Sequence, residues 1–296
     1  MNILLFGKNG QVGWELQRAL APLGNLTALD RHSTEHGGDL NNLEGIAATL
    51  AAIAPDVIVN AAAYTAVDKA EAEADLADRI NHQAVAVMAQ AAKQSGALLI
   101  HYSTDYVFNG SGSTPWVEAD APAPLSVYGQ TKWAGEQAII ASGCAHLIFR
   151  TSWVYAARGN NFAKTMLRLA AEREQLNVIN DQIGAPTAAS LISDVTAHAI
   201  RAIRHNPDLA GVYHLAAAGE TSWHHYAEFV IHTARAQGQA LKVNSINPIP
   251  SSQYPTPAQR PHNSRLNTHK IKAAFGITLP HWQAGVARML EEIKTP

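Results

Sequence analysis

The first 150 residues alternate short apolar runs with helix-patterned stretches, and few folds accept that rhythm. The apolar runs are Asn2–Phe6, Leu26–Asp30, Asp56–Asn60, Ala97–Tyr102 and His146–Arg150. Between them Gln11–Leu20, Leu43–Ile53, Asp75–Ser95 (closed by Gly96) and Tyr128–Ser142 carry helical spacing. Strands apolar on successive residues and separated by helices mark a parallel sheet covered on both faces. Right-handed crossovers then make the sheet doubly wound, so an α/β class is expected.

After Arg150 the rhythm loosens. Helices are expected over Phe162–Arg173, Leu191–Asn206, Trp223–Ala236, Thr268–Phe275 and His281–Lys294. Short strands are expected at Val178–Ile179, Val212–Leu215 and Leu241–Ser245, and the proline-rich stretch Pro248–Pro261 as an irregular loop. With 47% hydrophobic and 16% charged residues, disordered and coiled-coil classes are excluded. A net charge of −2 offers no basic footprint for nucleic acid. The single cysteine, Cys144, cannot form an internal disulfide and reads as buried and inert. No leader-like or membrane-spanning run is visible, so a cytoplasmic location is expected.

The chemistry concentrates at strand ends. Gly7-Lys8-Asn9-Gly10-Gln11-Val12-Gly13 follows the first strand and opens a helix. Glycines there let the backbone turn tightly and approach a pyrophosphate on the helix N-terminus. Asp30 closes the second strand, placed to accept from an adenosine ribose, and Arg31 beside it suits a 2′-phosphate, so NADH and NADPH both remain open. Asn60-Ala61-Ala62-Ala63-Tyr64 leaves the third strand with small residues against which a flat cofactor fits. Ser103-Thr104-Asp105 leaves the fourth, and Tyr128 and Lys132 lie four apart on one helix face. These features converge on the carboxyl edge of one sheet, where ligands bind in open α/β folds.

Taken in order, the glycine motif, N-A-A-A-Y, S-T-D and Y-x-x-x-K resemble the extended short-chain dehydrogenase/reductases, a Rossmann-like superfamily. The finer pattern resembles the dTDP-4-dehydrorhamnose reductase family over nearly the whole chain. It includes A-A-Y-T-A-V-D-K-A-E, S-T-D-Y-V-F-N-G, Y-G-Q-T-K-W-A-G-E, R-T-S-W-V-Y, D-Q-I-G-A-P-T and R-P-H-N-S-R-L. The resemblance implies reduction of a C4 ketone in a dTDP-sugar by NADH or NADPH, the last step to dTDP-L-rhamnose, a precursor for lipopolysaccharide O-antigen. It implies Tyr128 as proton donor and Lys132 as the cation that lowers the phenol's pKa and holds the nicotinamide ribose. Thr104 is implied to bond the ketone oxygen. Gly10, Gln11 and Val12 are implied at the pyrophosphate, Asp39 and Leu40 at adenine, and Ala63, Tyr64 and Thr65 along the cofactor channel. Asp105 and Trp153 resemble sugar-binding positions, although Trp153 also reads as simple packing. Arg260 and Asn263 fit either a nucleotide diphosphate or a solvated loop. A homodimer and magnesium follow from the resemblance alone.

The resemblance also divides the chain: residues 1–150 plus about 186–218 for the dinucleotide, and about 151–185 plus 219–296 as a smaller, discontinuous α/β lobe for the sugar nucleotide. A related epimerase is an alternative, as is a non-catalytic dinucleotide-binding regulatory subunit. A dehydratase is disfavoured because Tyr106 follows Asp105 where a glutamate is needed. His224, Glu228 and His232 share one helix face and read as a polar surface stripe, and the acidic stretch 66–73 as a solvated helix start.

Overall fold

The computed structural model describes residues 1–294. Its centre is a six-stranded parallel sheet. The chain lays down β1 (Asn2–Phe6), α1 (Gln11–Leu20), β2 (Asn25–Leu29), α2 (Leu43–Ile53) and β3 (Val57–Asn60). Short α3 (Val67–Ala70) and α4 (Ala74–Asp78) lead through a π-helical turn at Arg79–Gln83 into α5 (Ala84–Ser95). Then come β4 (Leu98–Thr104), α6 (Val127–Ser142) and β5 (His146–Thr151). Strand order is β2-β1-β3-β4-β5 with a later strand beyond β5, so the direction of winding reverses between β1 and β3.

Apolar side chains on alternate faces of these strands build two cores. Ile3, Leu5, Val57, Val59 and Phe149 pack with Leu16 and Leu20 of α1. Leu4, Phe6, Ile58, Leu99 and Ile148 pack with Ile46 of α2, Met88 of α5 and Ile139 of α6. Cys144 is buried in the second cluster, as expected.

The remainder runs through β6 (Val154–Tyr155), α7 (Phe162–Glu172), β7 (Gln175–Ile179), β8 (Ile183–Gly184), β9 (Thr187–Ala188) and α8 (Ala189–His205). It continues with β10 (Gly211–His214), β11 (Thr221–Ser222), α9 (Trp223–Ala236), β12 (Ser245–Ile249), α10 (His269–Phe275) and α11 (Trp282–Lys294). β10 returns to pair with β5 at the sheet's edge, and α8 packs along α1. A third cluster joins α7, α9 and α11 around Tyr155, Tyr226, Val230 and Trp282.

Three local expectations are corrected. The long helix expected over 75–95 is interrupted by the π-turn. The strand expected at 241–245 runs instead over Ser245–Ile249 and includes Pro248. Among the described residues it pairs only with β7, and an edge strand tolerates a residue without an N–H. Ile271, Phe275 and Leu279, expected in the lobe, pack on the sheet core with Ile200 and Tyr213.

Candidate active site

The loop after β1 is closed by backbone contact. Gly7 has φ +88°, and a Cβ there would lie 2.7 Å from the Ala62 nitrogen. A Cβ on Gly13 would lie 2.0 Å from the Gly7 oxygen, so no side chain fits at either position. Gly10 caps α1 without a side-chain hydrogen bond, leaving the helix's opening N–H groups for an anion. Such a cradle fits the diphosphate of a dinucleotide. Gln11 turns towards the second half of the chain, its Oε1 accepting from Asn161 Nδ2 at 3.1 Å.

The neighbouring positions form the rest of a cofactor channel. Asp30 accepts from the His32 N–H at 2.9 Å, the Ser33 hydroxyl at 3.2 Å and the Asn9 amide. Burial raises its pKa, but these bonds and the Lys8 charge prevail, leaving it below the usual carboxylate range. Arg31 is exposed, with Nε 3.1 Å from His32 Nε2. Asp39 accepts from the Asn41 N–H, while Leu40 is buried in the core with Leu29 and Phe6. Ala61, Ala62 and Ala63 are partly buried, and Thr65 is exposed. Tyr64 is held by Asn81 of the π-turn, whose side chain accepts from its N–H at 2.9 Å and donates to its carbonyl at 3.1 Å. The same Asn81 amide reaches Thr131 of α6 at 3.2 Å. Sequence reading passed over Asn81; only the π-turn, a form enriched at functional sites, marks it.

At the exit of β4 the reactive groups meet. Ser126 caps α6, and Gly129 lets the helix start press onto the Tyr106 carbonyl, which a Cβ would approach to 2.3 Å. Tyr128 in that first turn faces the Thr104 hydroxyl, which draws the phenol's pKa down. Thr104 also donates to Asp105 Oδ1 at 3.1 Å. Asp105 is 2% exposed, and its Oδ2 has no hydrogen-bond partner among the described residues. Burial pushes this carboxyl up to about 6, against hydrogen bonds from Ser264 and Thr104. Buried polar atoms without a partner are rare in folded proteins, and this one sets the position apart from the rest of the core.

Lys132 departs from expectation. Its Nζ donates to the Tyr102 carbonyl at 2.6 Å and lies 3.1 Å from His101 Nε2. Burial pushes Lys132 down to about 8, and the Glu136 charge opposes that only in part. Tyr128 is not lowered: burial pushes the phenol up to about 12, and the Asp105 charge adds to the rise. The lysine's polar contacts run to β4 rather than to the phenol.

Trp153 has φ +47°, a conformation rare outside glycine, and stacks on Trp223 with centroids 3.6 Å apart. Gly184 makes room for it, since a Cβ there would lie 2.8 Å from the indole. Trp223, expected only as the start of a helix, is fixed in turn through Nε1 to Gln182 at 3.2 Å.

Arg260 and Asn263 are both engaged within the protein. Arg260 pairs with Asp68 at 2.7 Å and also hydrogen-bonds Tyr106, whose ring meets Tyr128 edge-on at 5.6 Å. It therefore braces the wall behind the phenol, and the 66–73 stretch is not merely solvated. Asn263 is 1% exposed and spends its amide on Thr114 and Ser111 carbonyls and on Arg265, a structural knot rather than a ligand contact. The histidine stripe is also rearranged. His224 is buried, with Nε2 3.0 Å from the Ile246 carbonyl. Among the described residues His224, His225 and Glu228, not His232, bring ligand atoms within 4.8 Å. Two imidazoles and one carboxylate suit a transition metal and not oxygen-seeking magnesium. No described helix is long and apolar enough to cross a membrane.

Residues 1–295 of the 296 match the RmlD substrate binding domain family. A dTDP-4-dehydrorhamnose reductase of Shigella flexneri is 63% identical over 295 residues, covering 100% of this chain and 99% of the relative. The chain belongs to the dTDP-4-dehydrorhamnose reductase family, a family of oxidoreductases. Solved members share its form. The Clostridium acetobutylicum dTDP-4-dehydrorhamnose reductase superposes with TM-score 0.89 at 31% identity, covering 100% of both chains. The Bacillus anthracis dTDP-4-dehydrorhamnose reductase, in complex with NADP, superposes with TM-score 0.87 at 34% identity, covering 98% of this chain and 99% of that one.

Proposed function

We propose that this chain reduces the C4 ketone of dTDP-4-dehydro-L-rhamnose to dTDP-L-rhamnose with NADPH or NADH. The observation that carries the reading is the buried Thr104–Asp105 pair, with its unpaired Asp105 oxygen, beside the half-buried Tyr128 on the same sheet edge as the Gly7–Gly13 cradle. Family membership supplies the substrate class.

When bound, the nicotinamide supplies the hydride. Gly10, Gln11 and Val12 would hold the dinucleotide's diphosphate, Asp30 or Arg31 its adenosine end, and Lys132 its nicotinamide ribose. The chain's own task is to protonate the oxygen left at C4. With its phenol held near 12, Tyr128 carries its proton at neutral pH, and it gives it up only to a stronger base such as a developing alkoxide. Thr104, beside the phenol, aligns that transfer and stabilises the charge forming on the oxygen. Asp105 accepts from sugar hydroxyls, and the Trp153–Trp223 stack offers the sugar an apolar face. Residues 1–150 with about 186–218 hold the cofactor, and about 151–185 with 219–296 hold the sugar nucleotide, apart from the α10 segment on the sheet core.

Purified protein mixed with dTDP-4-dehydro-L-rhamnose and either NADPH or NADH is expected to oxidise the cofactor and yield the C4 alcohol. Cofactor that binds but stays reduced would overturn the reading.

A further inference from the structure

Behind the reaction site, three buried side chains join neighbouring elements. Asn60 ends β3, His101 lies beside it on β4, and Lys132 enters from α6. They are 1%, 1% and 2% exposed. Asn60 Nδ2 lies 3.2 Å from His101 Nδ1, and His101 Nε2 lies 3.1 Å from Lys132 Nζ.

One backbone group sets the direction of these bonds. The Ala62 N–H, which can only donate, points at Asn60 Oδ1 at 3.2 Å. The amide oxygen of Asn60 therefore faces Ala62, and its NH2 faces His101. His101 Nδ1 must accept, so the imidazole proton sits on Nε2, aimed at Lys132. An ammonium has donors only and would meet that N–H donor to donor. An amine accepts it with its lone pair while donating to the Tyr102 carbonyl.

We propose that His101 is a positioning residue: fixed by Asn60 as its Nε2–H tautomer, it anchors Lys132 on β4 and favours the amine form of that lysine in the free enzyme. Burial acts in the same direction, lowering Lys132 to about 8 and His101 well below its ordinary value. The other ionisable groups around the lysine are Glu136 and Tyr128, one turn on and one turn back in α6. Glu136 favours the ammonium, but its carboxylate is engaged by Arg150 of β5. The purpose of the device rests on the reductase reading. A lysine lowered towards 8 pulls less on the phenol as its charge is lost with rising pH, so Tyr128 keeps the proton that reduction needs.

The test uses the full chain labelled with 15N-histidine and with 13C at the lysine ε-carbon, resonances being assigned by loss in H101Q and K132R. Just above pH 8, His101 is expected to show a protonated Nε2 and a bare Nδ1. A protonated Nδ1, or an imidazolium, would overturn the proposal. In H101Q, whose amide oxygen can accept from Nζ, the Lys132 midpoint is expected to rise by about one unit. An unchanged midpoint in a variant that still binds NADPH would reduce His101 to a core filler. Should H101Q not fold, the tautomer of the native protein still decides. Neither readout needs turnover, so a chain that failed to reduce the sugar would sink the reductase reading and leave this inference standing.

Discussion

Two buried carboxylates flank the end of β4, and they live in opposite circumstances. Glu136 is 0% exposed and meets the Arg150 fork through bonds of 2.7, 3.0 and 3.1 Å, with the Ser103 hydroxyl as a further donor. Arg150 in turn lies over the Phe108 ring at 5.1 Å and the Trp133 ring at 5.7 Å. Asp105 is buried almost as deeply, but among the described residues it has hydroxyls for company, no cation, and one oxygen with no partner. Ser103 and Thr104 are adjacent on one strand, so successive side chains serve the two clusters. The comparison teaches that burial alone does not make a site. A carboxylate given its counter-ion becomes a pin for the fold, and one denied it keeps a raised pKa and an oxygen open to further bonding.

The contrast can be broken in order of size. Glu136→Ala strands a buried guanidinium and is expected to destabilise by about 3–5 kcal/mol, read from urea unfolding. A loss under about 1 kcal/mol would mean that the pair is no pin. Asp105→Asn is expected to do the reverse. The folded-state pKa, about 6, exceeds the ordinary 3.8, so ionised Asp105 is penalised only in the folded protein. That penalty is absent below pH 3.8 and complete above about 6, where its removal is worth up to about 3 kcal/mol. The variant should be more stable than native at neutral pH, equal to it in acid, and weaker for the sugar substrate.

The pH profile sharpens this further. His214 is pushed down to about 3 by burial and the Arg150 charge, and His101 well below 6.5 by burial and Lys132. For a depressed histidine the unfolded chain gains the proton first, so stability drains away as pH falls through 6.5 towards the folded value. Each such histidine contributes roughly 1.4 kcal/mol per pH unit, and Asp105 offsets one of them below about 6. Unfolding midpoints below pH 6 should therefore fall more steeply in D105N than in the native chain. The smallest effect belongs to the partly exposed Asp68–Arg260 pair, where Asp68→Asn is expected to cost about 1 kcal/mol or less.

How much of this was legible depended on how locally each feature is encoded. The β1 glycine loop, Thr104, Tyr128 and Lys132 sit at strand ends and on one helix turn, where spacing alone fixes their side. The ends of α1 and α9 fell where the helical pattern placed them, because both carry an apolar stripe against one neighbour. What the sequence hid is pairwise and distant. Nothing near Trp153 announces Trp223, nothing near Lys132 announces His101 and Asn60, and nothing near Arg260 announces Asp68. β12 was missed because proline argues against a strand until its edge position is known. Tyr128's high pKa was misjudged because a lysine four residues on suggests a cation at the phenol. The Tyr102 carbonyl that holds its Nζ lies on another strand.

The measurement that bears most directly on the central claim is Tyr128→Phe, assayed for both turnover and NADPH binding. The cluster at β4 as the proton-delivering site requires kcat to fall by roughly 10²–10⁴-fold, with NADPH affinity unchanged. Turnover close to native in that variant would contradict it.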